Sequence, residues 1–343
     1  MNENPQLSPA LMLRWLAFVM RVSRALYAAA ELGLADILAT GRMTSEELAT
    51  KVEVNPGAMR RLMRALVAHG IFEESEVGRF RLNAAGELLR RNVPGSQRAG
   101  VIFTAGAMRW ELWSDFLACV RTGQAAIERT FGQTVFERHA QNPEELALFR
   151  EAMAGFAAAL SQPLMAAYDF GAFERIADIG GGSGQLLMDI LAAHPKTHGL
   201  LFDLPEVVAA APERLAERSL EARCEVVGGS FFNGVPPGAD AYVMRAILHD
   251  WDDDRAVAIL TNVRKVMGAD ARLIVIERVL PEKAVEGVEA DSYLLDLEML
   301  VNTPGGRERT ATEFDAILTE AGFLSIRVLP TATSTSLIEA RRV

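Results

Sequence analysis

Cysteine is nearly missing from this chain: Cys119 and Cys224 are the only two in 343 residues. Two thiols cannot staple a protein of this size, so a disulfide scaffold is excluded and a reducing, cytoplasmic setting is expected. There is no uncharged apolar run of about 18 residues, the length a helix needs to cross a bilayer, so no membrane span is expected. The opening stretch "MNENPQLSPALMLRWLAFVM" lacks a charged n-region and a small-residue cleavage site, and Arg14 interrupts its apolar part. It does not read as a secretory signal. Internal repeats and low-complexity tracts are also lacking.

What is present is ample apolar content. Hydrophobic residues make up 50% of the chain, enough to bury a full core, and the length predicts about two domains. The net charge of −10 is unevenly spread. Residues 1–100 hold 13 Lys+Arg against 10 Asp+Glu, a net of +3, and the remainder carries −13. The small basic excess raises a nucleic-acid question for the N-terminal region.

Residues 1–98 read as helices followed by a hairpin. "SRALYAAAELGLADILA" has helical periodicity, "TSEELATKV" places Thr44 and Glu47 at capping-box spacing, and "NPGAMRRLMRALVAHG" runs from an Asn55 cap and Pro56 to a Gly70 stop. "IFEESEVGRFRLN" is two strands joined at Glu76-Val77-Gly78. This order predicts a winged-helix domain. Residues 99–165 read as a helical connector and lid rich in large apolar side chains. From 166 to 343 strands and helices alternate: "RIADI", "GLLFDLP", "CEVVGG", "DAYVMRAIL" and "ARLIVIERVL" with helices between, then "LSIRVL" and "TSLIEARR" as an antiparallel pair. Such alternation predicts an α/β fold with a Rossmann-like, doubly wound, mostly parallel sheet, whose ligands sit at the carboxyl ends of the strands.

"ADIGGGSGQLL" lies between the first strand and its helix. A pyrophosphate-binding fingerprint needs G-x-G-x-x-G, but counting from Gly180 the sixth position is Gln185. The glycines follow G-x-G-x-G at 180, 182 and 184, preceded by Asp178, which suits a ligand without a pyrophosphate and disfavours a nicotinamide enzyme. Asp203 ends the second strand, where a carboxylate accepts hydrogen bonds from ribose hydroxyls or else caps the next helix. Ser230 and Phe231 follow the third strand, placed to meet an adenine ring. Arg245 lies toward the end of the fourth.

"ILHDWDDDR" then sets one histidine before a run of acids. His249 falls just past the fourth strand, where an imidazole of ordinary pKa about 6.5 accepts a proton near neutral pH. Glu277, at the end of the fifth strand, and Glu308, in "NTPGGRERT", are the candidate carboxylates for its far ring nitrogen. Asp252, Asp253 and Asp254 read as helix-capping acids, while Asp250 stays open between site and cap. A metal is disfavoured, because one histidine beside carboxylates lacks ligand spacing.

Taken in order, "ADIGGGSG", "FDLP", "AYVMRAILHDWDDD", "VIERVLP" and "NTPGGRERTATEFDAILTEAGF" resemble the S-adenosylmethionine-dependent O-methyltransferases of the plant caffeate and hydroxyindole type, over essentially the whole chain. The resemblance implies a class I methyltransferase domain behind an N-terminal dimerisation domain, a homodimer, and transfer of a methyl group to a hydroxyl of a small, aromatic molecule. S-adenosylmethionine would leave as S-adenosylhomocysteine, without a metal. It implies Gly180 and Gly182 near the methionine part of the cofactor, Asp203 on the ribose, Ser230, Phe231 and Arg245 around the adenine, His249 as base, and Glu277 and Glu308 as its orienting partners. Ser230 is a departure, since the family often has an acid there, and a neutral hydroxyl bonds the adenine amino group more weakly. The acceptor pocket is expected from Phe149, Met153, Met299, Asn302 and Trp110, with Trp113 and Phe116 near it. Two rivals remain open. One is a relative that keeps the cofactor fold but catalyses hydroxylation or decarboxylation, against which His249, Glu277 and Glu308 speak. The other is a winged-helix DNA-binding regulator using Arg60, Arg61 and Arg64, against which Glu73, Glu74 and Glu76 on the wing speak. No nucleic-acid partner is therefore expected.

Overall fold

The computed structural model describes residues 8–343, apart from the side chains at positions 136, 140 and 158–160. The first residues of the stretch read against a secretory signal lie outside the described ones. By its internal contacts the chain forms two units, 1–110 with 147–156, and 111–146 with 157–343. The division between the two units falls inside segment 99–165. No helix among the described residues is long and apolar enough to cross a membrane.

In the first unit, Ser8 caps a helix over Pro9–Glu31 with Pro9 in its first turn. The pattern "SRALYAAAELGLADILA" is two helices, not one: Gly33 takes a left-handed φ of 65° and Leu34–Leu38 begins afresh. Helices Ser45–Lys51 and Pro56–Ala68 start as their sequences predict, the first with a full Thr44–Glu47 capping box and the second on Asn55. Strands Phe72–Glu76 and Arg79–Leu82 pair as the hairpin, and a two-residue strand, Met43–Thr44, adds to it. Leu34, Leu48, Met63, Leu66, Phe72 and Phe80 form the core beneath. Helix Pro9–Glu31 leaves Leu13, Trp15, Leu16 and Phe18 at 46–65% exposed, an apolar face that this unit does not cover.

The second unit holds the large sheet. Its strands are β1 (Arg175–Ile179), β2 (His198–Asp203), β3 (Cys224–Gly228), β4 (Ala241–Arg245), β5 (Arg272–Leu280), β6 (Phe323–Pro330) and β7 (Thr335–Arg342), in the order β3-β2-β1-β4-β5-β7-β6. β1 to β5 are parallel, β7 runs antiparallel to β5, and β6 pairs antiparallel with β7. Central strands buried on both faces need continuous apolar runs rather than alternation. In β4 and β5 successive residues go to opposite cores: Tyr242, Met244, Leu273 and Val275 to one, Ala241, Val243, Ile274 and Ile276 to the other. Each such side chain contributes roughly 1.5–3 kcal/mol when fully buried. Four helices matter for the site: α1 (Gln185–Ala193), α2 (Asp253–Val266), α3 (Ala290–Asn302) and α4 (Ala311–Glu320). The segment "EVVAAAPERLAER" is two short helices, because Pro212 restarts the chain in the first turn of the second.

Strand order reverses direction at the β1–β4 pair. The chain lays β2 and β3 on one side of β1, then returns to place β4 and β5 on the other. The carboxyl ends of β1 and β4 therefore bound the crevice in which an open α/β sheet takes its ligand. The glycine loop leaves β1 there, and His249 follows β4.

Candidate active site

The glycine loop is held by β2. Gly180 and Gly181 N–H groups donate to the Phe202 carbonyl at 2.8 and 3.2 Å, and Gly182 N–H donates to Asp203 Oδ2 at 2.8 Å. Gly180 and Gly182 sit at φ of 71° and 59°, in the left-handed region that favours glycine. A Cβ on Gly180 would lie 2.4 Å from Ile247 Cδ1, so this turn packs directly on the segment leading to His249. A Cβ on Gly182 would meet nothing within 4 Å, which leaves open space beside backbone.

Asp178 is 3% exposed in β1, and Arg245 stands two residues past its neighbour Val243 in β4. Burial pushes the Asp178 carboxyl up to about 6, with Arg245 opposing and Asp203 reinforcing that rise. Burial lowers the Arg245 pKa, and its Nη1 is buried with no hydrogen-bond partner among the described residues. An orphaned guanidinium nitrogen, an open glycine and the strand-end carboxylate of Asp203 fit a polar, nucleoside-bearing ligand. Beyond β3, Phe231 and Phe232 meet Trp251 edge-on at centroid distances of 6.1 and 4.8 Å. Asn262 of α2 donates to both the Phe231 and Phe232 carbonyls at 2.9 Å, which fixes this aromatic corner. Ser230 Oγ accepts the Phe232 N–H at 3.3 Å.

His249 lies past the fourth strand as expected, in a single turn of 3-10 helix, Leu248–Asp250, and that strand is shorter than "DAYVMRAIL" suggests. β4 ends at Arg245 because Ala246 turns to a φ of 52°. The imidazole Nδ1 bonds Glu308 Oε1 at 2.8 Å, and the Glu308 side chain is fully buried. Glu277 has a different task from the one read in its position. Its Oε1 accepts the Ile247 and Leu248 N–H groups at 2.9 and 2.8 Å, while its Oε2 stands 3.8 Å from Nδ1. Glu308 is thus the ring's partner, and Glu277 anchors the turn. Nε2 faces the other way, 3.7 Å from Asp250 Oδ1.

The charges here change the acid–base expectation. Burial alone would disfavour an imidazolium, but Glu277, Asp250 and Glu308 outweigh it and push His249 up to about 10. Burial pushes Glu277 up to about 7, with His249 opposing and Glu308 reinforcing. In the ligand-free protein the ring therefore holds a proton at neutral pH, where the sequence suggested a group near 6.5. The fold also gathers what the sequence spacing does not: one donor atom each from His249, Glu277 and Glu308 lies within 4.8 Å of the others.

The acid run divides its labour. Asp252 caps α2, its Oδ1 accepting the Arg255 N–H at 2.8 Å. Asp253 and Asp254 stand in the first turn of α2 as expected, and Asp253 also pairs with Arg307 and Arg309 at 2.6 and 2.8 Å. Three further residues that sequence reasoning passed over complete the surroundings: Asp296, whose Oδ1 accepts the Glu308 N–H at 2.9 Å, Trp251, and the fully buried Arg309. Trp251 was open to view in "HDW", but nothing in sequence marks Arg309 as buried. In α3, Met299 and Asn302 are 8% and 3% exposed, and Asn302 Oδ1 is buried with no hydrogen-bond partner among the described residues. Trp113 Nε1 donates to Glu298 of the same helix at 2.6 Å. Phe149, Met153 and Trp110 belong to the first unit, where Phe149 packs on Phe103 at 5.6 Å between centroids.

Sheet order, glycine loop and strand-end acid define a class I, S-adenosylmethionine-dependent methyltransferase. Comparison with known proteins refines the class. Residues 113–324 match the O-methyltransferase domain and residues 15–92 the O-methyltransferase dimerisation domain, so the chain belongs to that O-methyltransferase family. It is 42% identical over 323 residues to the phenazine O-methyltransferase of Lysobacter antibioticus, covering 94% of this chain and 93% of that one. The crystal structure of LaPhzM superposes with a TM-score of 0.93 at 39% identity, over 98% of this chain and 100% of the other. An O-methyltransferase from neocarzinostatin biosynthesis, solved with S-adenosylmethionine and 2-hydroxy-5-methyl naphthoic acid, gives 0.80 at 32% identity, over 94% and 96%. The protein is an enzyme that transfers a methyl group from S-adenosylmethionine to oxygen.

Proposed function

We propose that His249 is the general base for an aromatic hydroxyl, with Glu308 orienting its ring and Glu277 anchoring its turn. The observation that carries this reading is the 2.8 Å bond from Nδ1 to a fully buried carboxylate, which leaves Nε2, 3.7 Å from Asp250 Oδ1, as the ring nitrogen that Glu308 does not take. When bound, the cofactor supplies a methyl group on a cationic sulfur. A positive charge near the ring lowers its affinity for a proton, and this offsets the raised value of the ligand-free state. Nε2 can then accept the hydroxyl proton as oxygen attacks carbon, and Glu308 stabilises the imidazolium that forms. Holding oxygen, carbon and sulfur in line is the other task of the protein, worth up to about 7–11 kcal/mol of the barrier.

For the cofactor we assign Gly180 and Gly182 to the methionine part, Asp203 to the ribose, Ser230, Phe231 and Arg245 to the adenine, and Asp178 to the support of the loop. Trp251 joins the adenine group on the strength of its contacts with Phe231 and Phe232. Met299 and Asn302 of α3 are the proposed acceptor contacts. One relative acts on a phenazine and another binds a naphthoic acid, and both favour a fused, planar hydroxyarene here. We assign residues 1–98 to dimerisation, 99–165 to lid and connection and 166–343 to catalysis, in a cytoplasmic protein that needs no nucleic acid. Support for the last point is that the wing's Glu73 and Glu76 are engaged with Arg81 and Arg42, leaving no basic ridge there.

The test is transfer of labelled methyl to a panel of hydroxynaphthoic acids, hydroxyphenazines, simple phenols and an aromatic amine, with and without EDTA. Methylation of a fused hydroxyarene that survives EDTA is expected. Labelling of the amine alone would overturn the acceptor class, and abolition by EDTA would assign the His249–Glu277–Glu308 cluster to a metal instead. In solution the protein should run as a homodimer, because the exposed face of helix Pro9–Glu31 carries more apolar surface than monomers usually leave bare. A clean monomer at micromolar concentration, measured by light scattering, would contradict this.

A further inference from the structure

We propose that Arg309 is a positioning residue that holds the His249 turn in its reactive geometry by gripping the carbonyls on either side of it. The inference rests on the reading of His249 as the base. Arg309 is 0% exposed, and a buried guanidinium is costly unless its donors are satisfied. Its donors go almost entirely to one place. Nη1 donates to the Leu248 carbonyl at 2.8 Å, Nη2 to the Trp251 carbonyl at 2.8 Å, and Nε and Nη2 to Asp253 Oδ1 at 3.0 and 2.8 Å. These partners bracket His249 in sequence and include the first turn of α2.

The grip has a counterpart. Glu277 of β5 takes the amides of residues 247 and 248, while Arg309 takes the carbonyls of 248 and 251. Both come from paired chain segments, since Arg309 stands opposite Val279 in the short parallel strand Arg309–Thr310 beside β5. Glu308, which holds the ring, and Arg309, which holds the backbone, are consecutive, so one strand sets both halves of the histidine's position. The turn needs outside support: Ala246, just before it, sits at a φ of 52°, a conformation that persists only where the surroundings impose it. Gly306 closes the same pocket, and a Cβ there would lie 2.5 Å from the His249 carbonyl oxygen. Lysine cannot reproduce the fork, because it offers one flexible nitrogen where arginine offers a planar set of donors.

The experiment compares wild type, Arg309→Lys and Asp253→Asn. Asp253→Asn removes the carboxylate that the guanidinium leans on, yet leaves the Asp252 cap in place. Two readouts are taken: the His249 Cε1–H signal by NMR in cofactor-free protein, and kcat, acceptor KM and cofactor Kd with 1,4-dihydroxy-2-naphthoic acid as acceptor. In Arg309→Lys the histidine signal should move and its titration fall toward the ordinary value of about 6.5. kcat should drop roughly 10- to 100-fold, as expected when a reacting group is displaced by up to about 1 Å. KM and Kd should stay within about threefold of wild type, which a general loss of structure would not allow. Asp253→Asn should show the same split, more weakly, and decides the matter if Arg309→Lys does not fold. An unmoved histidine signal in a folded variant overturns the proposal, as does a fall of kcat and Tm joined by a rise of KM and Kd beyond threefold. Retained turnover in His249→Ala would instead defeat the base reading itself, and the two failures are thereby told apart.

Discussion

Replacing His249 with alanine lowers turnover by roughly 10²–10⁴-fold, the range a positioned general base contributes, while cofactor affinity stays near its wild-type value. The split follows from where the ring stands. His249 bonds Glu308, not the glycine loop or Asp203, so its loss leaves the proposed cofactor cradle intact. The variant should still fold, because Glu277, buried beside the lost ring, does not have to remain charged. Glu277 is already raised to about 7 by burial and by Glu308, and without the imidazolium it takes up a proton. Glu277 in its neutral form still has a carbonyl oxygen for the amides of Ile247 and Leu248. Steady-state kinetics with calorimetric cofactor binding checks both halves, and unchanged turnover removes the base from the scheme.

The pH dependence has a definite sign. A base must be unprotonated, so activity rises as pH passes through its pKa. The kcat/KM profile reports free enzyme, in which His249 is pushed up to about 10, so that profile should still be climbing above pH 8. The kcat profile reports the loaded enzyme, where a second positive charge lowers the ring's pKa, and its rise should come at lower pH. Stability runs the other way. A folded-state pKa above the unfolded one stabilises fully below the unfolded value and is lost as pH climbs, so His249's contribution, intact below about 6.5, disappears as pH approaches 10.

Much of this site was legible before any coordinates. The alternation from "RIADI" onward gave the sheet, because central parallel strands must be apolar on both faces and that leaves long readable runs. The G-x-G-x-G turn and the acid of "LFDLP" were placed by their strands alone. The capping box at Thr44 is equally plain, since a cap is a local interaction between residues three apart. What escaped was whatever depended on distant partners. Asp253 looks like its neighbours in the acid run, and nothing local shows that Arg307 and Arg309, more than fifty positions away, also engage its carboxylate. Glu277 could be assigned to the histidine from its strand end, but a periodicity cannot tell a carboxylate that touches a ring from one that takes backbone amides. The ordinary pKa assumed for His249 failed for the same reason: three acids from separate segments converge on one buried ring.

Asp203→Ala should weaken cofactor binding by roughly 10²-fold or more and drag activity down with it through saturation, not through chemistry. This carboxylate already does two things without a ligand: Oδ2 accepts Gly182 N–H at 2.8 Å and Oδ1 accepts Leu204 N–H at 2.7 Å. The first bond holds the second half of the glycine loop against β2, at a residue whose left-handed backbone leaves it few other restraints. The second starts the chain into helix Pro205–Val208. Each hydrogen bond to a charged group contributes about 1.5–3 kcal/mol, so losing the proposed pair to the ribose hydroxyls alone removes two decades of affinity or more. Asp203→Asn separates the two roles. Its amide oxygen can keep Gly182 in place, but it accepts only weakly beside an NH2 group that cannot accept at all, so binding should fall by about tenfold with the loop preserved. Isothermal titration with S-adenosylhomocysteine, which carries the same ribose and needs no acceptor, measures both. At saturating S-adenosylmethionine the Asn variant should recover most of its kcat. A variant that binds normally but turns over slowly would move Asp203 from holding the cofactor to shaping the reaction.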